Sequence, residues 1–152
     1  MPSIHSPTRR KRHSVYGLAL ALAAGLFYFH ANLLFEMGDI LPAVNAWLRA
    51  DYDQSTAGKA IILGAFIVLF LTHFMEAAAW GLFFWRTGLS KTFIDGVYFA
   101  AASTTGVGYG DLVLAPPWRI LGPLSSINGI LMFGCSTAFL FVVLQNIWMH
   151  QI

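Results

Sequence analysis

The chain has 152 residues, 57% hydrophobic and only 11% charged, with a mean hydropathy of +0.65 and a net charge of +2. Soluble domains carry about 25% charged residues, so the composition excludes a separate soluble module and indicates a single membrane-embedded domain. The lone cysteine, Cys135, excludes an intrachain disulfide and any zinc-type cysteine spacing, and the one basic run lacks the interleaved aromatics of a nucleic-acid surface.

Residues 1–14 read as a polar, disordered tail with Pro2, Pro7 and the cluster Arg9, Arg10, Lys11 and Arg12. Val15–Phe35 is the first apolar segment; about 21 residues rising about 1.5 Å each cross a hydrocarbon core of about 30 Å. A basic run before an apolar run is also the pattern of a signal peptide, but no small-x-small cleavage site follows, so the segment reads as a retained helix. His30, near its end, reads as an interfacial residue. Residues 36–58 read as a polar connector holding Glu36, Asp39, Arg49, Asp51 and Asp53, with a short amphipathic surface helix within it. The second span is expected over residues 59–86 and ends in an interfacial set of Trp80, Phe83, Phe84, Trp85 and Arg86.

Residues 92–105 are apolar but too short to cross, which marks a re-entrant half-helix. Thr92 and Asp95 have the spacing of a capping box at its start. The loop 106–111 follows, and then a last span over 120–148, with Trp118 and Arg119 as its outer anchor.

The stretch Ser103–Asp111, STTGVGYGD, puts irregular backbone between two membrane segments. Such backbone is tolerated at membrane depth only when buried in protein or lining a water-filled path. Glycine reaches angles closed to other residues, and carbonyls turned to one side can replace the water shell of a cation. The spacing G-V-G-Y-G lacks the nucleotide-binding pattern and the P-loop lysine. The order span, half-helix, TTGVGYGD, span resembles the pore module of potassium channels, in particular small bacterial channels with a two-helix pore, over roughly Ala60–Leu144. That resemblance implies an all-α membrane protein of three transmembrane helices with a re-entrant pore helix, assembled as a homotetramer around a four-fold axis. It implies a passive, potassium-preferring channel of the bacterial plasma membrane, with the lipid bilayer and copies of itself as partners. Potassium would be the permeant ligand and no cofactor would be needed. The ion-binding residues would be Thr105, Gly106, Val107, Gly108, Tyr109 and Gly110, with potassium held at Gly106 to Tyr109.

The family's threonine directly before V-G-Y-G is Gly106 here; either it replaces that residue or it is inserted after the Thr104–Thr105 pair. The innermost ion site is altered in both cases. Support is expected from Tyr98 and Phe99 beneath Tyr109, and from Asp111 at the mouth or capping the loop. The family's half-helix carboxylate is Ala102 here, and Glu76 is the nearest carboxylate within a span. His73 and Glu76 share a helix face and carry three readings: support of the filter from behind, a polar contact between subunits, or a metal site with only two ligands. In the last span, Asn128, Ser125 and Ser126 are candidates for the inner cavity or for bonds between helices. Gly129 and Gly134 are hinges or sites of close packing.

A loop dipping in from outside puts Lys59 inside and, with three crossings, the N-terminus outside, although its basic cluster favours the inside. No span carries a ladder of arginines. Two other function classes stand beside the channel: a non-conducting accessory subunit with an altered filter, and a small metal-dependent membrane enzyme built on His73, Glu76 and His30.

Overall fold

The computed structural model describes residues 9–149. They form four α-helices: α1 (Arg9–Asp51), α2 (Gln54–Arg86), α3 (Phe93–Thr104) and α4 (Leu121–Met149), with a 3-10 turn at Trp118–Ile120 leading into α4. Three of them are long and apolar enough to cross a membrane. The protein is thus an all-α membrane protein, and α3 is the half-length helix between the last two spans.

The largest departure from the expected layout lies between residues 36 and 58. The polar connector is helical as far as Asp51, and α1 runs unbroken for 43 residues. Met37, Leu41, Val44 and Leu48 recur at helical spacing and are all partly buried, while Glu36, Asp39 and Arg49 are exposed. This stripe continues the packing face of α1, and Pro42 removes one helical donor without ending the helix. The connection to α2 shrinks to a turn at Tyr52 and Asp53. Asp53 then caps α2, accepting from the N–H groups of Ser55 at 3.0 Å and Thr56 at 3.3 Å. The polar tail expected over 1–14 lies outside the described residues as far as residue 8, and from Arg9 onward it is helix.

The start of α1 sits beside the start of α4. Val15 and Ala19 join Trp80, Phe84, Ala100, Leu114 and Leu121 in one buried cluster, and the Tyr16 hydroxyl donates to the Pro117 carbonyl at 2.6 Å. The N-terminal end of α1 therefore lies on the face that carries the glycine loop, as three crossings require.

Two glycine contacts set α3 in place. A Cβ on Gly96 would lie 2.5 Å from the Gly81 carbonyl of α2, and one on Gly129 of α4 would lie 2.3 Å from the Thr104 carbonyl. Helix α3 is wedged between α2 and α4 at distances only hydrogen side chains allow. At its start the Thr92 hydroxyl accepts from the Asp95 N–H at 3.0 Å, the half of the capping box that Thr92 supplies.

Candidate pore loop and buried polar ring

The loop after α3 alternates in backbone sign. Gly106, Gly108 and Gly110 have φ of +75°, +53° and +81°, and among the described residues no non-glycine residue has a positive φ. Val107 and Tyr109 therefore alternate with left-handed glycines, a pattern that only glycine supports cheaply. The loop's donors turn back onto the end of α3. Gly106 N–H donates to the Ser103 carbonyl and Gly108 N–H to the Ala102 carbonyl, each at 2.9 Å. The Thr105 hydroxyl donates to the Ala101 carbonyl at 2.7 Å. Among the described residues, no hydrogen bond is accepted by the carbonyls of Gly106, Val107, Gly108, Tyr109 or Gly110.

The brace behind the loop comes from α3. The Tyr98 hydroxyl donates to Oδ2 of Asp111 at 2.7 Å, and Oδ1 of Asp111 accepts from the Leu112 N–H at 2.9 Å. The Tyr98 ring stacks on Tyr109 with centroids 6.4 Å apart and planes 11° from parallel. The hydrogen bond from Tyr98 holds the Asp111 carboxyl below its ordinary value of 3.8. Tyr109 itself is 71% exposed in a single chain. Phe99, the other expected neighbour, packs instead edge-on against Phe84 at 5.0 Å.

His73 and Glu76 lie elsewhere. Among the described residues neither hydrogen-bonds to the loop; the pair instead belongs to a closed ring of side chains joining all three long helices. His30 Nδ1 lies 2.8 Å from Oε1 of Glu76 and His73 Nδ1 lies 3.0 Å from Oε2. The Nε2 atoms of both histidines meet Oγ of Ser136 at 3.0 Å. The imidazole rings stack with centroids 5.1 Å apart, and Phe133 covers His73 at 4.0 Å. His30 is 0% and Glu76 1% exposed, so His30 is a core residue and not an interfacial one. The reason is the register of α1 against α2, which sets His30 opposite Glu76. His73 lies midway along α2 between Lys59 and Arg86, about 20 Å from each by helical rise. The ring therefore sits near the middle of the membrane. His30, His73 and Glu76 each offer a ligand atom, all within 4.8 Å of one another.

The candidate cavity residues divide. Asn128 is buried and spends both ends of its amide within the chain: Oδ1 accepts from Trp80 Nε1 and Nδ2 donates to the Ala23 carbonyl, each at 3.1 Å. It ties α4 to α2 and α1 and does not line a cavity. Ser125 is buried and donates to the Gly122 carbonyl at 2.8 Å. Gly129 is the contact with Thr104 already described, whereas a Cβ on Gly134 would meet nothing within 4 Å. Ser136 was the residue sequence reading missed. A lone serine in an apolar run carries no signal, and only its position opposite His30 and His73 reveals it.

Comparison with known proteins bears on residues 60–146, which match a family model described as ion channel and make up more than half of the chain. That stretch takes in α2, α3, the glycine loop and nearly all of α4. Neither the curated proteins nor the solved structures contain a match to the chain. With an all-helical membrane architecture around a half-helix and a glycine loop, and with that match, the chain belongs to the ion-channel family.

Proposed function

We propose that the protein is a passive, potassium-preferring channel in which four copies surround one pore. The observation that carries this is the division of backbone polarity in the loop. Its N–H groups at Gly106 and Gly108 are spent on α3, while five successive carbonyls, from Gly106 to Gly110, have no donor among the described residues. Carbonyls left this way at membrane depth need a partner, and a dehydrated cation is one. Alternating φ sign supports their turning to a common side. One chain supplies one strand of such a filter, and enclosing an ion takes four. The C-terminal end of α3, carrying the negative end of its dipole, adds to the preference for cations.

Potassium is held by the carbonyls of Gly106, Val107, Gly108 and Tyr109. The Thr105 hydroxyl donates its proton to the Ala101 carbonyl, which leaves its oxygen lone pairs free for an ion at the innermost site. A threonine at 106 would have to adopt φ +75°, a strain of about 1–3 kcal/mol, so glycine suits this loop. Gly134, with open space around it, is where α4 bends to open the inner end. The setting is a bacterial plasma membrane.

The test is cation flux into liposomes carrying the purified protein. Potassium flux well above sodium flux is expected, and Gly106→Thr is expected to weaken it. Equal flux of the two ions would remove the potassium preference. Absence of flux in the natural sequence would remove conduction and favour a non-conducting accessory subunit.

A further inference from the structure

The buried ring has a proton count that its neutral parts cannot meet. Four hydrogen bonds close it: two from histidine Nδ1 atoms to the two oxygens of Glu76, and two between histidine Nε2 atoms and Ser136 Oγ. Each bond needs one proton. The serine hydroxyl supplies one, each neutral imidazole supplies one, and an ionised carboxylate supplies none. That is three protons for four bonds.

With three, two lone pairs face each other across 3.0 Å at Ser136, and a net negative charge lies buried near the middle of the membrane. Both costs vanish together if one more proton is bound. Ser136 then donates to one Nε2 and accepts from the other. The ring holds one imidazolium against one carboxylate, or two neutral imidazoles against a carboxylic acid, and is neutral either way. Every nitrogen and oxygen of the ring then has a partner of the right kind, donor facing acceptor.

We propose that His30, His73, Glu76 and Ser136 form a binding site for one proton, which closes the ring and ties α4 to α1 and α2. Release of that proton opens one of the two bonds at Ser136 and frees α4 at its midpoint. The groups facing the site are His30 from α1, His73 and Glu76 from α2, and Ser136 from α4. No lysine, arginine or second carboxylate pairs with it among the described residues, and α3 contributes nothing to it.

A divalent metal fits less well. Bonds of about 2.0–2.1 Å to an Nδ1 and an oxygen only 2.8–3.0 Å apart would close the angle at the ion to about 86–94°, far from tetrahedral. The ring also offers three ligand groups where a closed site takes four.

The inference does not rest on ion conduction, and its test reads the ring directly. The full chain would carry His5, His13 and His150 as glutamine, so that only His30 and His73 report in 15N-histidine spectra of the reconstituted protein. Glu76→Gln is the decisive variant: its amide donates to one Nδ1 and accepts from the other, so it supplies the fourth proton by itself. Near neutral pH, the natural ring is expected to show four hydrogen-bonded histidine nitrogens and one proton beyond two neutral imidazoles and a carboxylate. A single one-proton transition should appear as pH rises, with a fall in unfolding temperature across it. Both changes should be absent in Glu76→Gln. If that variant fails to assemble, Ser136→Ala serves: two bonds then remain for two neutral histidines, only the buried charge still favours the proton, and the transition should move to lower pH. A ring with no extra proton at any pH would overturn the proposal, as would the transition surviving in Glu76→Gln or standing unmoved in Ser136→Ala. So would stoichiometric zinc whose chelation changes the histidine signals.

Discussion

The glycine loop and the buried ring answer the same problem in opposite ways. Polar groups at membrane depth must find partners. The ring finds all of its partners inside one chain and is closed off, with His30 and Glu76 essentially without exposure. The loop spends donors on α3 and leaves its carbonyls open, on a surface exposed in the single chain. A closed polar set fixes three helices against one another; an open one leaves room for something that passes. The difference teaches that irregular backbone and ionisable side chains in a span are separate signals. Here the first belongs to the proposed conduction path and the second to the frame around it.

The contrast can be broken most forcefully from the ring side. Glu76→Ala leaves two buried histidines without their carboxylate, and removing one member of a buried pair costs about 3–5 kcal/mol. Thermal unfolding in detergent micelles should show this as a large loss of stability, with little intact protein recovered. A smaller loss would mean that water reaches the site.

Next in size is Gly129→Ala, whose methyl would lie 2.3 Å from the Thr104 carbonyl. Overpacking of this kind costs about 1–3 kcal/mol. Because the displaced element is the end of α3 directly beneath the loop, cation flux is expected to fall more than unfolding temperature does. Gly134→Ala, with nothing within 4 Å of the added atom, should spare stability.

Tyr98→Phe acts on the loop alone. It removes the hydroxyl that donates to Asp111, so the expected effect is on ion preference and on acid tolerance. The Asp111 carboxyl is lowered from 3.8 in the folded chain. Its bond to Tyr98 is therefore fully stabilising above that ordinary value and is lost as pH falls through the lowered one. Flux recorded during acidification should fail at a higher pH in the variant than in the natural protein; coincident profiles would mean that the tyrosine does not brace the loop.

The smallest effect is expected at Asp53→Ala, far from both regions. The cap of α2 is lost, so the amides of Ser55 and Thr56 should exchange with solvent faster. The amides around the ring should be unchanged.

Much of the channel module was legible in the sequence because its signals are local. Length and hydropathy mark α2 and α4. The shortness of the run after Thr92 marks α3, and three alternating glycines mark a backbone that must visit positive φ. Tyr98 was accessible because it precedes Ala102 by one helical turn and faces the same loop. The connector failed for a different reason. Charges at Glu36, Asp39 and Arg49 outweighed the apolar stripe of Met37, Leu41, Val44 and Leu48, which extends α1 because α2 and α4 cover it. Asn128 and Gly129 each carried two readings, because polarity and smallness in a span have several uses, and only their neighbours choose among them.

The sequence by itself determined that this chain is membrane-embedded, that a half-helix precedes a glycine loop, and that a carboxylate and a histidine share one face of α2. Composition and spacing along one strand of chain are enough for each of these. Only the tertiary structure decided that His30 and Ser136 complete a ring with that pair, that Tyr98 holds Asp111, and that Gly129 seats the end of α3. These depend on register between helices, with partners up to 106 residues apart, and register is set by packing contacts that no local pattern encodes.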